Sequence, residues 1–130
     1  MNIRAMHLGL LLVIMGLGGC EKKEAEPPPE KLTYADDVAT ILGKDCVECH
    51  VAGQRGAVES GLLMVSYESL MKGSSFGPVV NPGSAMTSSL YVVCYGKDRL
   101  EVKMPHGKDA LSTEEIQTIR AWIENGAAKN

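Results

Sequence analysis

Apolar and polar positions alternate in three different rhythms along the 130-residue chain. Leu8–Leu17 is almost wholly apolar, with Arg4 ahead of it and Gly18, Gly19 and Cys20 behind it. An apolar run of about ten residues is too short to span a bilayer, which needs about 20. A positive start, a short apolar core and a small-residue end describe a secretory signal peptide. Glu21–Lys31 then has no apolar periodicity and contains Pro27-Pro28-Pro29, so it reads as a solvated, semi-extended tether.

From residue 33 the rhythm becomes helical. Val38, Ile41 and Leu42 fall at i, i+3 and i+4 and predict an amphipathic helix over Thr33–Asp45. Thr33 with Asp36 resembles a capping box at its start, with Asp in place of the usual Glu or Gln. Residues 50–61, with Gly53, Gly56 and Gly61, read as loop. Ser66–Lys72 reads as a short helix stopped at Gly73, and Gly77-Pro78 and Asn81-Pro82-Gly83 as turns. Ser88–Tyr95 fits helix or strand, and residues 96–110 are polar. The last element is the clearest. Ser112-Thr113-Glu114-Glu115 is a capping box with acids in the first turn, Ile116, Ile119, Trp122 and Ile123 share one face, and Gly126 is a stop. The reading is therefore all-α, with helices at both ends, short helices and loops between, and no repeat.

Length and composition narrow the rest. The chain suits one domain, divided here into residues 1–19 (leader, removed), 20–32 (tether) and 33–130 (folded domain). With only one Phe and one Trp, a domain this small calls for a cofactor, metal or disulfide to complete its core. The net charge of −3 becomes one unit more negative once Arg4 leaves with the leader. That argues against a nucleic-acid partner, which selects a basic footprint.

The chemistry lies in Cys46-Val47-Glu48-Cys49-His50, which has the spacing of a c-type haem attachment site. Each thiol would add to one haem vinyl group, the two-residue gap spanning the vinyl separation. The following residue, His50, would then project its imidazole over the ring as the proximal iron ligand. Export agrees with the compartment in which such haem is attached. The competing readings each lack something. A thioredoxin-like pair needs a βαβ context. A structural zinc site needs four ligands at matched spacing. A plain Cys46–Cys49 disulfide leaves His50 unexplained.

With that motif stand Gly61-Leu62 through Leu70 and Gly73, Asn81-Pro82-Gly83, Ser89-Leu90-Tyr91, Met104-Pro105, and the ending Glu115, Trp122-Ile123, Gly126-Ala127. Together they resemble a class I c-type cytochrome of the small bacterial, single-haem kind. The resemblance runs through most of residues 34–127. It implies an all-α fold in which the first and last helices cross beside one covalently bound haem c, with a Met on a late loop binding the iron opposite the His. Met104 matches that position, just before Pro105, which holds the preceding residue extended. Where many relatives continue Met-Pro-Pro, this chain has His106, which makes His106 the rival sixth ligand. Ligation by Met64, or a sixth position left empty, also stays open.

Leu17-Gly18-Gly19-Cys20 resembles a bacterial lipobox. It implies cleavage before Cys20 and acylation of that residue, giving a stable anchor; Glu21 points to the outer membrane where one exists. The competing reading is an ordinary signal peptide with an incidental Cys. Cys94 is left over, either as a small buried apolar residue or as a thiol for intermolecular pairing. Arg55, Lys97, Arg99 and Lys108 are solvated charges or partners for the haem propionates. Trp122 is expected to pack where the terminal helices meet.

The expected function is a membrane-anchored, single-haem electron carrier on the periplasmic side of the cell envelope. Its partners would be redox proteins, with no small-molecule substrate, no nucleic acid and no enzymatic role. The alternative is a haem enzyme or gas sensor with an open or labile sixth position. An electron-entry subunit of a larger dehydrogenase is a third possibility.

Overall fold

The computed structural model describes residues 32–96 and 102–130. The leader, Cys20 and the tether up to Lys31 lie outside the described residues, as do Lys97 and Arg99. Among the described residues every regular element is helical; the single β-like contact is an isolated bridge between Ser74 and Gly77.

The predicted first helix forms in two parts, a π-helical turn Tyr34–Val38 followed by α1, Ala39–Asp45. Thr33 caps it, its hydroxyl accepting from the Asp36 N–H at 3.1 Å. The reciprocal bond differs from the expected box. The Thr33 N–H donates to Asp37 Oδ2 at 2.7 Å, because Asp37 and not Asp36 swings back over the cap. Val38, Ile41 and Leu42 are all buried, as their spacing requires.

Residues 55–60, read as loop, are a helix, α2, Arg55–Ser60. Its glycine hid it: Gly56 lowers helix propensity, but here it lets the helix lie tightly against the preceding turn. A Cβ at Gly56 would stand 2.7 Å from the Cys49 carbonyl oxygen and 3.1 Å from the His50 ring. Gly61, at φ 71°, ends the helix. The next helix, α3, Tyr67–Lys72, is as expected. Ser66 and Ser69 cap each other at its start and Gly73 closes it.

The ambiguous Ser88–Tyr95 segment resolves as a short 3₁₀ turn, Ala85–Thr87, and then α4, Ser89–Tyr95. Three of its residues, Leu90, Tyr91 and Cys94, are buried at one-sided helical spacing. The last helix, α5, Thr113–Glu124, carries the predicted capping box, with Glu115 Oε2 accepting from the Ser112 N–H at 2.8 Å. That bond, and then the bond to Lys44, hold the Glu115 carboxyl below its ordinary range. At the other end, Gly126 N–H reaches the Ile123 carbonyl and Ala127 N–H the Trp122 carbonyl. This is a Schellman motif, with Gly126 at φ 98°.

The first helix packs on α5. Tyr34 lies 5.8 Å from Trp122, centroid to centroid, and Lys44 bonds Glu115 at 2.9 Å. These contacts sit at opposite ends of both elements. Trp122 is 1 % exposed, and Tyr67 completes the cluster, edge-on to Tyr34 at 5.2 Å. Buried ring polar groups are satisfied at the C-terminus. The indole N–H donates to the Ala128 carbonyl and the Tyr67 hydroxyl to that of Ala127, both at 2.9 Å. Val38, Leu42, Leu70, Ile119 and Ile123 fill the core around them.

Candidate haem site

Beside this core, enclosed by the motif loop, α2, α4 and the loop before α5, lies a cavity of about 410 Å³. That is within the range of ligand pockets, about 300–1,000 Å³. Cys46, Cys49, His50, Met104 and His106 all line it. The residues singled out by sequence therefore meet in one place, although 54 positions separate His50 from Met104.

The motif turn hangs from the end of α1. The Cys46 and Val47 N–H groups both bond the Leu42 carbonyl at 2.9 Å, and His50 N–H bonds the Cys46 carbonyl at 3.0 Å. This continuation of the helix carries Cys46 into the interior and leaves Cys49 exposed. Burial pushes the Cys46 thiol up to about 12 and the Cys94 thiol up to about 11. Both are protonated at neutral pH.

His50 is buried, and its Nδ1 lies 3.2 Å from the Leu62 carbonyl oxygen. A carbonyl can only accept, so Nδ1 is the donor here, which leaves Nε2 as the nitrogen available to a metal. A histidine held in this way by a backbone carbonyl is poised as a metal ligand. The Leu62–Met64 stretch that supplies the carbonyl is itself fastened to His50, with Met64 N–H donating to the His50 carbonyl at 3.0 Å.

Two methionines line the cavity, Met64 and Met104. Met64 is bonded by its backbone to His50. Met104 arrives on a separate loop, its N–H donating to the Val93 carbonyl of α4 at 3.1 Å. Pro105 behind it is buried, while His106 is exposed. Leu62, Val79, Leu90 and Val93 make most of the remaining wall apolar.

One open reading is decided here, and two further features were not read from sequence. Cys94 is 3 % exposed and lines the cavity, so the small buried residue is its observed role; its thiol faces inward, away from an intermolecular partner. Gly56 supplies the close approach that a side chain would block. The Leu62 carbonyl leaves no sequence signal, because every residue has one. Arg55 pairs with Glu59 at 2.7 Å and Lys108 with Glu48 at 2.6 Å. Both cations line the cavity but are engaged with carboxylates. Trp122 is absent from the lining and serves packing.

Residues 46–106, from the first motif cysteine to His106, match a family model described as Planctomycete cytochrome C. This supports a cytochrome c-like domain. No curated protein and no solved structure matches the chain. A cytochrome c-like domain implies haem and haem-based electron transfer, with redox proteins as the general class of partner.

The residues present fit that group. Two free thiols, an imidazole with its Nε2 free, and an apolar cavity of suitable size converge on one site.

Proposed function

We propose that the chain is a membrane-anchored electron carrier of the cell envelope that holds one covalent haem c. The observation that carries this reading is the shared cavity: both motif cysteines, the carbonyl-oriented His50 and the loop-borne Met104 line the same space. Bound there, haem supplies a centre that takes up and releases single electrons. Cys46 and Cys49 would hold it by thioether bonds. His50 Nε2 would be the proximal ligand and Met104 Sδ the distal one.

The roles of the surrounding groups follow. The Leu62 carbonyl accepts from His50 Nδ1, which orients the ring and leaves Nε2 for the iron. The largely apolar wall would limit water around the haem, and a thioether ligand beside an imidazole would raise its reduction potential. With His50 and Met104 both holding the haem iron, no position would remain for a small oxidant, which favours carriage of electrons over bond chemistry.

Met104→Ala is expected to abolish the weak red-edge absorption of iron–sulfur ligation and to open the reduced protein to carbon monoxide. His106→Ala should leave the band unchanged. Persistence of the band in Met104→Ala would overturn Met104 as ligand. Rapid carbon monoxide combination by the unaltered protein would mark an enzyme or sensor with an open site.

The anchor rests on Leu17-Gly18-Gly19-Cys20 and the Pro-rich tether. No described helix is long and apolar enough to cross a membrane. Cys20→Ala is expected to move the protein from the membrane to the soluble fraction. Unchanged partitioning would remove the lipid anchor and leave an ordinary leader.

A further inference from the structure

Among the described residues, the loop that brings Met104 to the cavity has few fastenings. Its backbone is tied to α4 through the Met104 N–H, and Pro105 and Leu111 are buried, but residues 106–110 between them are all exposed. From this exposed stretch two side chains, His106 and Lys108, turn back to line the cavity. Lys108 lines the cavity and its Nζ reaches Glu48 Oε2 at 2.6 Å. Glu48 lies between the two motif cysteines, so the pair joins the loop carrying Met104 to the loop carrying Cys46, Cys49 and His50. The Lys108 ammonium also lies within electrostatic reach of Asp45. Asp45 lines the same cavity, and its buried Oδ2 accepts no hydrogen bond. Lys108 thus adds a second cation to the acidic end of the motif turn, where Lys44 Nζ already pairs with Asp45 Oδ2 at 3.5 Å. The other ion pairs near the site do not bridge in this way. Arg55–Glu59 lies within α2, and Lys44–Glu115 joins the first and last helices.

We propose that Glu48 and Lys108 are positioning residues that clamp the Met104 loop over the motif turn and so hold the sixth ligand in place. This rests on Met104 being that ligand. When the pair is intact, the Met104 loop opens less often, and an external ligand has less access to the distal side. The pair is exposed at Glu48, so its effect is modest and salt-sensitive.

The test is the rate of carbon monoxide combination with the reduced, haem-loaded full chain, read beside the iron–sulfur band. Glu48→Gln and Lys108→Met are each expected to speed combination about two- to five-fold, the range an exposed ion pair can supply. The reversed pair, E48K with K108E, should restore the slow rate. Arg120→Gln, which breaks an α5 pair away from the cavity, should leave it unchanged. Higher ionic strength should speed the unaltered protein and have less effect on Glu48→Gln. Rates in Glu48→Gln and Lys108→Met equal to the unaltered protein, or no rescue by the reversed pair, would overturn the clamp while loss of the band in Met104→Ala still upheld the ligand. A band that survives Met104→Ala would overturn the ligand assignment and the clamp with it.

Discussion

The Cys46→Ala/Cys49→Ala double variant, produced in a host with haem-attachment machinery, is expected to lose all chromophore to acid–acetone extraction. The unaltered protein should keep it. The cavity presents three thiols, Cys46, Cys49 and Cys94, and only the first two have the spacing and the adjacent His50 that attachment requires. Cys94 remains in the double variant, so the experiment also tests whether it can substitute. Residual covalent haem would give Cys94 an attachment role; retention at the unaltered level would sink the thioether reading for Cys46 and Cys49.

The same variant should be far less stable. A cavity of about 410 Å³, if it stayed dry and uncollapsed, would cost on the order of 10 kcal/mol at about 24 cal/mol per Å³. That upper bound rivals the whole stability of a small domain, about 5–15 kcal/mol. Water entry and collapse reduce it, but the haem-free double variant is still expected to lose its near-ultraviolet dichroism well before its helical signal on heating. This is the energetic sense in which the cofactor completes the core of a chain with six aromatic residues.

Trp122→Ala should be the most costly single change away from the cavity. The ring is 1 % exposed and contacts Tyr34 and Tyr67 at centroid distances of 5.8 and 6.5 Å. Truncating a buried aromatic of this kind costs about 3–5 kcal/mol, and here it also leaves the Ala128 carbonyl without its indole donor. Denaturant unfolding of the haem-loaded protein measures it. Because Trp122 does not line the cavity, the iron–sulfur band of the folded variant should match that of the unaltered protein. A loss below about 1 kcal/mol would contradict the packing role, and a changed band would tie Trp122 to the site.

These two experiments separate what local sequence specifies from what assembly adds. The proposed attachment chemistry is local. Five consecutive residues carry the thiols and the imidazole, and chain connectivity alone keeps them together. Helix ends are local as well. Ser112 with Glu115, Ser66 before α3, and the glycines at 61, 73 and 126 act within one turn of themselves. The buried stripes of the first and last helices follow from 3.6-residue periodicity and were legible for the same reason.

Elsewhere the local signal was silent or misleading. Gly56 favours loop by propensity, yet it lies within α2 because close approach to Cys49 and His50 admits no side chain. The Ser88–Tyr95 segment suits strand or helix equally until Leu90, Tyr91 and Cys94 must all face one interior. Cys94 was left between a small buried residue and a pairing thiol, and its burial beside the motif decided for the first.

Sequence alone therefore determined the helical class and set the five-residue motif as the candidate attachment site, because each depends on groups within a few positions of one another, while Met104 and its rival His106 came from the family resemblance. The tertiary structure decided the rest. It brought Met104 into the cavity that His50 lines, oriented the His50 ring through the Leu62 carbonyl, and joined Lys108 to Glu48. Those are contacts between backbone and side-chain groups on separate segments, and their energies depend on distances that no periodicity or spacing along the chain encodes.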